Sequence, residues 1–101
     1  MSLRLAPAGA VLRVEGVVGY DNADAACAEG LAALAAMPAT VTLDLAGLES
    51  ASTVTVAVLL RWARALAARG GRLQLAHVPG KCRAILRVSG LAAALPEVSP
   101  E

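Results

Sequence analysis

Aromatic residues are almost absent: Trp62 and Tyr20 are the only ones, and phenylalanine does not occur. Proteins that hold single-stranded nucleic acid stack bases on aromatic side chains along a basic groove. This chain offers neither, since nine Lys and Arg face eight Asp and Glu for a net charge of +1. Nucleic acid is therefore not an expected partner. Cysteine and histidine are as scarce. Cys27 and Cys82 lie far apart, each inside an apolar helical pattern, and read as two buried thiols of a reducing compartment. With no CxxC pair and a lone His77, neither a metal site nor a cofactor is expected.

Long apolar runs are missing as well. The longest is interrupted by Arg61 and Arg64, well short of the roughly 18 residues that a membrane span requires. The LAPAGAVL stretch after Arg4 contains Pro7 and Gly9 and lacks a cleavage pattern, so it does not read as a signal peptide. The expectation is a cytoplasmic protein that meets a membrane only through a partner. A catalytic site has no support either, because no carboxylate or thiol lies at a motif spacing from His77.

What is present is aliphatic: the hydrophobic fraction reaches 57%, supplied by Ala, Leu and Val. A chain of 101 residues fits a single domain, 1–101, with a core over about 10–96 and a polar tail over 97–101. Residues 3–5 and 10–18 read as two short strands around a Pro7–Gly9 turn. Asp21 is the predicted cap of a first helix, with Asp24 in its first turn and Cys27, Leu31, Leu34 and Met37 on one face. Gly30 weakens that helix by about 1 kcal/mol, and Pro38 stops it. From Thr40 to Leu45 polar and apolar residues alternate again, as in a strand.

The next stretch organises the rest. A short loop carries a hydroxyl cluster, Ser50, Ser52, Thr53 and Thr55, onto the start of an apolar helical pattern that continues through Val58, Leu59, Trp62 and Leu66. β-Branched residues at 53–58 favour a strand by composition, but the later spacing predicts a helix from about Thr53 to Arg69, stopped at Gly70-Gly71. Backbone N–H groups at such a helix start favour an acceptor or an anion. Trp62 reads as core, Arg61, Arg64 and Arg69 as a solvated face, and His77 as a hydrogen-bonded surface residue. A strand at Arg72–Val78, a turn at Pro79-Gly80, a helix at Lys81–Val88 and a further turn at Leu91–Leu95 complete the chain before a PEVSPE tail expected to fray. Strands alternating with helices imply an α/β layer with a mixed sheet.

In this order the residues resemble the STAS family of anti-sigma factor antagonists and related regulatory modules. The family pattern, Asp-Leu-Ser-x-Val followed by Asp-Ser-Ser-Gly-Leu opening a helix, is matched by Asp44-Leu45-Ala46-Gly47-Leu48 and then Ser52-Thr53-Val54-Thr55-Val56. Gly70-Gly71, Leu73-Gln74-Leu75, His77-Val78-Pro79 and Leu86-Arg87-Val88-Ser89-Gly90-Leu91 continue it, so the resemblance spans about residues 10–96. It implies a single STAS-type domain, a mixed central sheet with helices packed on it. Thr53 falls on the family's phosphoacceptor, Ser52 where an Asp stands, and Thr55 where a Gly stands.

A Thr acceptor in a short, lone, Ala- and Leu-rich domain is most similar to the STAS subunit of the Mla phospholipid-transport ABC complex. The expectation is a non-catalytic subunit that binds and regulates the transporter ATPase at the inner face of the inner membrane, supporting outer-membrane lipid asymmetry. Ser52, Thr53, Thr55 and Val56 would form the contact. The alternative is an anti-sigma factor antagonist that binds an anti-sigma factor kinase and is switched by phosphorylation of Thr53. Ser52 also has a plain structural role as a helix cap, worth about 1 kcal/mol.

Overall fold

Period-two alternation builds the sheet. The structure, a computed structural model, describes residues 3–49, 52–91 and 93–98. Its strands are β1 (Leu3–Ala8), β2 (Val11–Gly16), β3 (Thr40–Leu48) and β4 (Arg72–Ala76), arranged side by side in that order. β1 runs antiparallel to β2, while β2, β3 and β4 are parallel, which makes the sheet mixed. Leu12, Val14, Val41, Leu43, Leu45, Leu73 and Leu75 alternate onto one buried face. The residues between them, Arg13, Thr42, Asp44 and Gln74, form a polar face where Gln74 Nε2 donates to Thr42 Oγ1 at 3.2 Å. This is the α/β layer that the alternation predicted.

The helices are α1 (Ala23–Ala35), α2 (Thr53–Ala68) and α3 (Gly80–Val88). Helix α2 occupies the centre and packs against α1, α3 and β4. Its Trp62 is fully buried, and the indole Nε1 donates to the Cys27 carbonyl of α1 at 3.1 Å. Gly30 explains how the two helices come so close. A Cβ at that position would fall on the Cε2, Cζ2 and Nε1 atoms of the Trp62 ring. The glycine that weakens α1 as an isolated helix is what lets the aromatic ring lie against it.

Several local expectations are corrected. β1 continues through Pro7, opposite Leu12, and the turn lies at Gly9 (φ 61) and Ala10. Proline is tolerated there because β1 is an edge strand. Helix α1 is preceded by Asn22 rather than Asp21. The Asn22 side chain folds back on its own loop, accepting from Gly19 N at 2.8 Å and donating to Val17 O at 2.7 Å. The buried stripe of α1 is Ala26, Cys27, Gly30 and Leu34, with Leu31 turned outward at 37% exposure.

Arg69 is not a solvated cation like Arg61 and Arg64: its guanidinium donates to the carbonyls of Leu34 (3.0 Å) and Met37 (2.7 Å), capping the end of α1. The tail is tied down as far as Val98. Leu75 N donates to Pro96 O (2.8 Å), Val98 N donates to Leu75 O (2.7 Å), and Leu95 is buried.

Candidate functional site

Because β2, β3 and β4 are parallel, their C-terminal ends open at one edge of the sheet. In open α/β sheets binding sites collect along that edge. The chain leaves it through three segments: Val17–Asn22, the approach to α2, and His77–Pro79. In the first, the Asn22 side chain pins the loop and Tyr20 projects outward, 87% exposed. In the third, His77 adopts a left-handed conformation (φ 54), one that histidine visits more readily than most residues. The His77 side chain is exposed, and among the described residues it has no hydrogen-bond partner.

The central segment starts α2. Ser52 is extended (φ −148, ψ 177), so its Oγ faces the first turn and accepts from Thr55 N at 3.4 Å. Thr55 Oγ1 in turn accepts from Ser52 N at 3.2 Å, which completes a reciprocal capping box. The Thr55 hydroxyl also donates to Val18 O at 3.3 Å, tying the helix start to the Tyr20 loop. These bonds are long, so the box fixes geometry more than it contributes energy.

The four residues expected at a partner contact are thereby divided. Thr55 (0% exposed) and Val56 (2%) turn inward, onto the same buried side of α2 as Leu59, Trp62, Ala63 and Leu66. Ser52 and Thr53 stay at the surface. Ser50, the fourth hydroxyl of the cluster, lies outside the described residues. Thr53 is the first helical residue, and its hydroxyl is the one among Ser52, Thr53 and Thr55 that the cap does not use.

Thr53 opens onto α3. With Lys81, Ala84, Ile85, Val88 and Ser89 it lines a shallow, almost wholly apolar recess of about 310 Å³. Val88 stands at its rim, 88% exposed. Sequence reasoning missed this surface, although the signal was there. Cys82 and Leu86 supply the buried face of α3, while Lys81, Ala84 and Val88 fall at helical spacing on the opposite side.

Behind that helix, Arg83 grips Glu97 through Nε (3.0 Å) and Nη2 (2.9 Å). The hydrogen bond from Arg83 is the main cause holding the Glu97 carboxyl below its ordinary range. Burial, with a smaller contribution from the charge of Glu97, pushes the Cys82 thiol up, so this cysteine is a poor nucleophile.

Residues 1–97 match the family described as Mlab, STAS domain. The chain belongs to the STAS family. Solved STAS-like structures agree on the fold. The Bacillus anti-sigma factor antagonist SpoIIAA in its unphosphorylated form superposes with a TM-score of 0.74 at 20% identity, covering 96% of this chain and 88% of that one. An anti-sigma factor antagonist from Mycobacterium paratuberculosis gives 0.73 at 18% identity, with 99% and 86% covered. The Thermotoga maritima protein TM1081, described as a putative anti-sigma factor antagonist, gives 0.78 at 15% identity, with 98% and 82% covered. No curated protein matches the sequence. The single STAS-type domain expected from the motifs is thus the fold observed. No helix among the described residues is long and apolar enough to cross a membrane.

Proposed function

We propose that this STAS domain is a non-catalytic docking module of the anti-sigma factor antagonist type, acting in the cytoplasm. It binds a partner kinase through the start of α2 and is switched at Thr53. The observation that carries this reading is the division of hydroxyls at the helix start. Ser52 and Thr55 are engaged in the cap, while Thr53 is exposed beside an apolar recess. A phosphate there adds about −1.5 to −2 charge without touching a capping bond. The fold survives, and an apolar contact surface becomes an anionic one. The likeness to SpoIIAA, solved in both unphosphorylated and phosphorylated forms, supports the same reading.

A second reading is favoured by the family description. Mlab suggests a subunit that binds and regulates the ATPase of a phospholipid-transport ABC complex at the inner membrane face, through the same Thr53 surface.

The experiment is common to both. The protein is purified from its own cells and incubated with ATP and the anti-sigma factor kinase encoded nearest to it, then analysed by intact mass and peptide mapping. One phosphate on Thr53, absent from Thr53→Ala, supports the antagonist. Co-purification with an ATPase and permease, lost in Thr53→Glu, supports the transporter subunit. A protein that gains no phosphate, and whose complexes ignore Thr53→Glu, overturns both.

A further inference from the structure

A net charge of +1 conceals a segregation. Between Ser50 and Pro96 the chain has no Asp or Glu but seven of its nine Lys and Arg, while residues 1–49 hold six of its eight acids. Folding converts this into a surface, because α2 and α3 together carry no acidic residue. Arg69 is used inside the fold and Arg83 is paired with Glu97. That leaves Arg61 and Arg64 on α2, Arg72 on β4, and Lys81 and Arg87 on α3, all exposed and without a salt-bridge partner among the described residues.

Helical spacing sets Arg61 and Arg64 on the outward stripe that begins at Thr53 and continues through Ala57 and Leu60. Lys81 lines the recess itself, whereas Arg87 faces the Arg83–Glu97 pair on the other side of α3. An apolar centre therefore has a cation in its lining and two more along the adjoining stripe of α2.

We infer that the partner docking here presents an acidic amphipathic segment. One of its aliphatic side chains seats between Thr53 and Val88, and its carboxylates meet Lys81 at the recess and Arg61 and Arg64 along α2. This rests on the reading of the Thr53 face as the docking surface. A field of one sign steers a partner of the opposite sign and rejects like charge. It also gives the switch a physical basis, since a phosphate on Thr53 would stand in the path of the partner's carboxylates. A lipid surface fits less well. Interfacial helices insert a continuous apolar face that commonly carries Trp or Phe, whereas this site is a recess sized for one or two side chains, and the only Trp is buried.

The test uses a synthetic helical peptide with an aliphatic stripe flanked by Glu, and the same peptide with Lys replacing each Glu. Each is titrated into isotope-labelled protein. The Glu peptide is expected to move the amide signals of Thr53, Ala84, Ile85 and Val88, and to weaken as NaCl rises. The Lys peptide should bind at least about tenfold less tightly. The Lys81→Glu, Arg61→Glu double variant should reverse that preference, and Val88→Asp should abolish binding of both peptides. All three positions are exposed, so the variants keep their fold, which circular dichroism checks.

Equal affinity for the two peptides, or no binding of the Glu peptide, overturns the inference. Sedimentation with phosphatidylglycerol vesicles in place of a peptide response overturns it in favour of lipid, and concentration-dependent self-association overturns it in favour of a second copy. Cellular complexes separate the two layers of the argument. Complexes lost on Val88→Asp but kept on Lys81→Glu, Arg61→Glu leave the docking face standing and remove the acidic partner. Complexes that survive both variants remove the docking face itself.

Discussion

Replacing Gly30 with alanine puts local propensity and tertiary packing in direct opposition. In an isolated helix the change would be favourable by about 1 kcal/mol. In this fold the new Cβ would fall on the Trp62 indole, at Cε2, Cζ2 and Nε1. That ring cannot swing away cheaply. It is fully buried, and its Nε1 donates to the Cys27 carbonyl at 3.1 Å. Moving it strands a buried donor, costing about 1–3 kcal/mol, and overpacks the α1–α2 contact for about another 1–3 kcal/mol.

After subtracting the propensity gain, Gly30→Ala should destabilise the domain by about 3 kcal/mol, with a range of about 1–5. For a domain of this size that corresponds to a fall in Tm of about 10 °C or more. Urea unfolding followed by far-ultraviolet circular dichroism gives the value, and the fluorescence of Trp62, the only tryptophan, reports the ring's surroundings. A cycle with Trp62→Phe isolates the clash: with the larger ring gone, Gly30→Ala should cost much less than it does in the native background. A Gly30→Ala variant as stable as the native protein, or more so, would refute the packing argument.

Two further predictions follow from contacts at the chain's joints. Arg69→Met should cost about 1–2 kcal/mol by releasing the carbonyls of Leu34 and Met37, with Arg69→Lys recovering only part because one ammonium cannot span both acceptors. Arg64→Met, at a solvated position, should shift calorimetric stability by no more than about 0.5 kcal/mol, and equal effects at the two arginines would remove the capping role. At Glu97 the folded-state carboxyl is held below its ordinary range by the hydrogen bond from Arg83 and the charges of Arg83 and Arg87. Its contribution to stability is thus present above the unfolded value, near pH 4.3, and is lost as pH falls through the folded value. Glu97→Gln should flatten the acid limb of stability against pH by a small amount, as befits an exposed pair; superimposable curves would sink this assignment.

The parts of the fold legible in the sequence are those specified by neighbours in the chain. The change from period two through Leu45 to helical spacing from Thr53 is local, and α2 begins at Thr53 as predicted. What was not legible depends on partners far along the chain. Leu31 and Gly30 are adjacent, and only the indole arriving from Trp62 decides which of them faces inward. Arg69 reads as one of three similar arginines until α1 ends within its reach. Pro96, Glu97 and Val98 read as a frayed tail until the open edge of β4 supplies Leu75 to bond with them. Of the candidate site, the surface position of Ser52 and Thr53 at the helix start was legible from the hydroxyl cluster. The recess was not, because it needs α3 to be placed against the start of α2.

The two departures from the family pattern at the start of α2 are one change, not two. An Asp before the acceptor would cap the helix and place a negative charge at its positive end; a Gly three residues later would leave that end uncrowded. Here Ser52 and Thr55 bond reciprocally, so each explains the other, and the Thr55 hydroxyl anchors the Tyr20 loop as well. The cap is retained while the charge is removed. With no acid in its first turn, α2 keeps an uncompensated positive end beside Lys81. Replacing the acid before Thr53 by Ser52 therefore leaves the field around Thr53 more positive. On the reading proposed above, it would raise the attraction for an acidic partner in the unmodified state, and a phosphate on Thr53 would oppose that attraction.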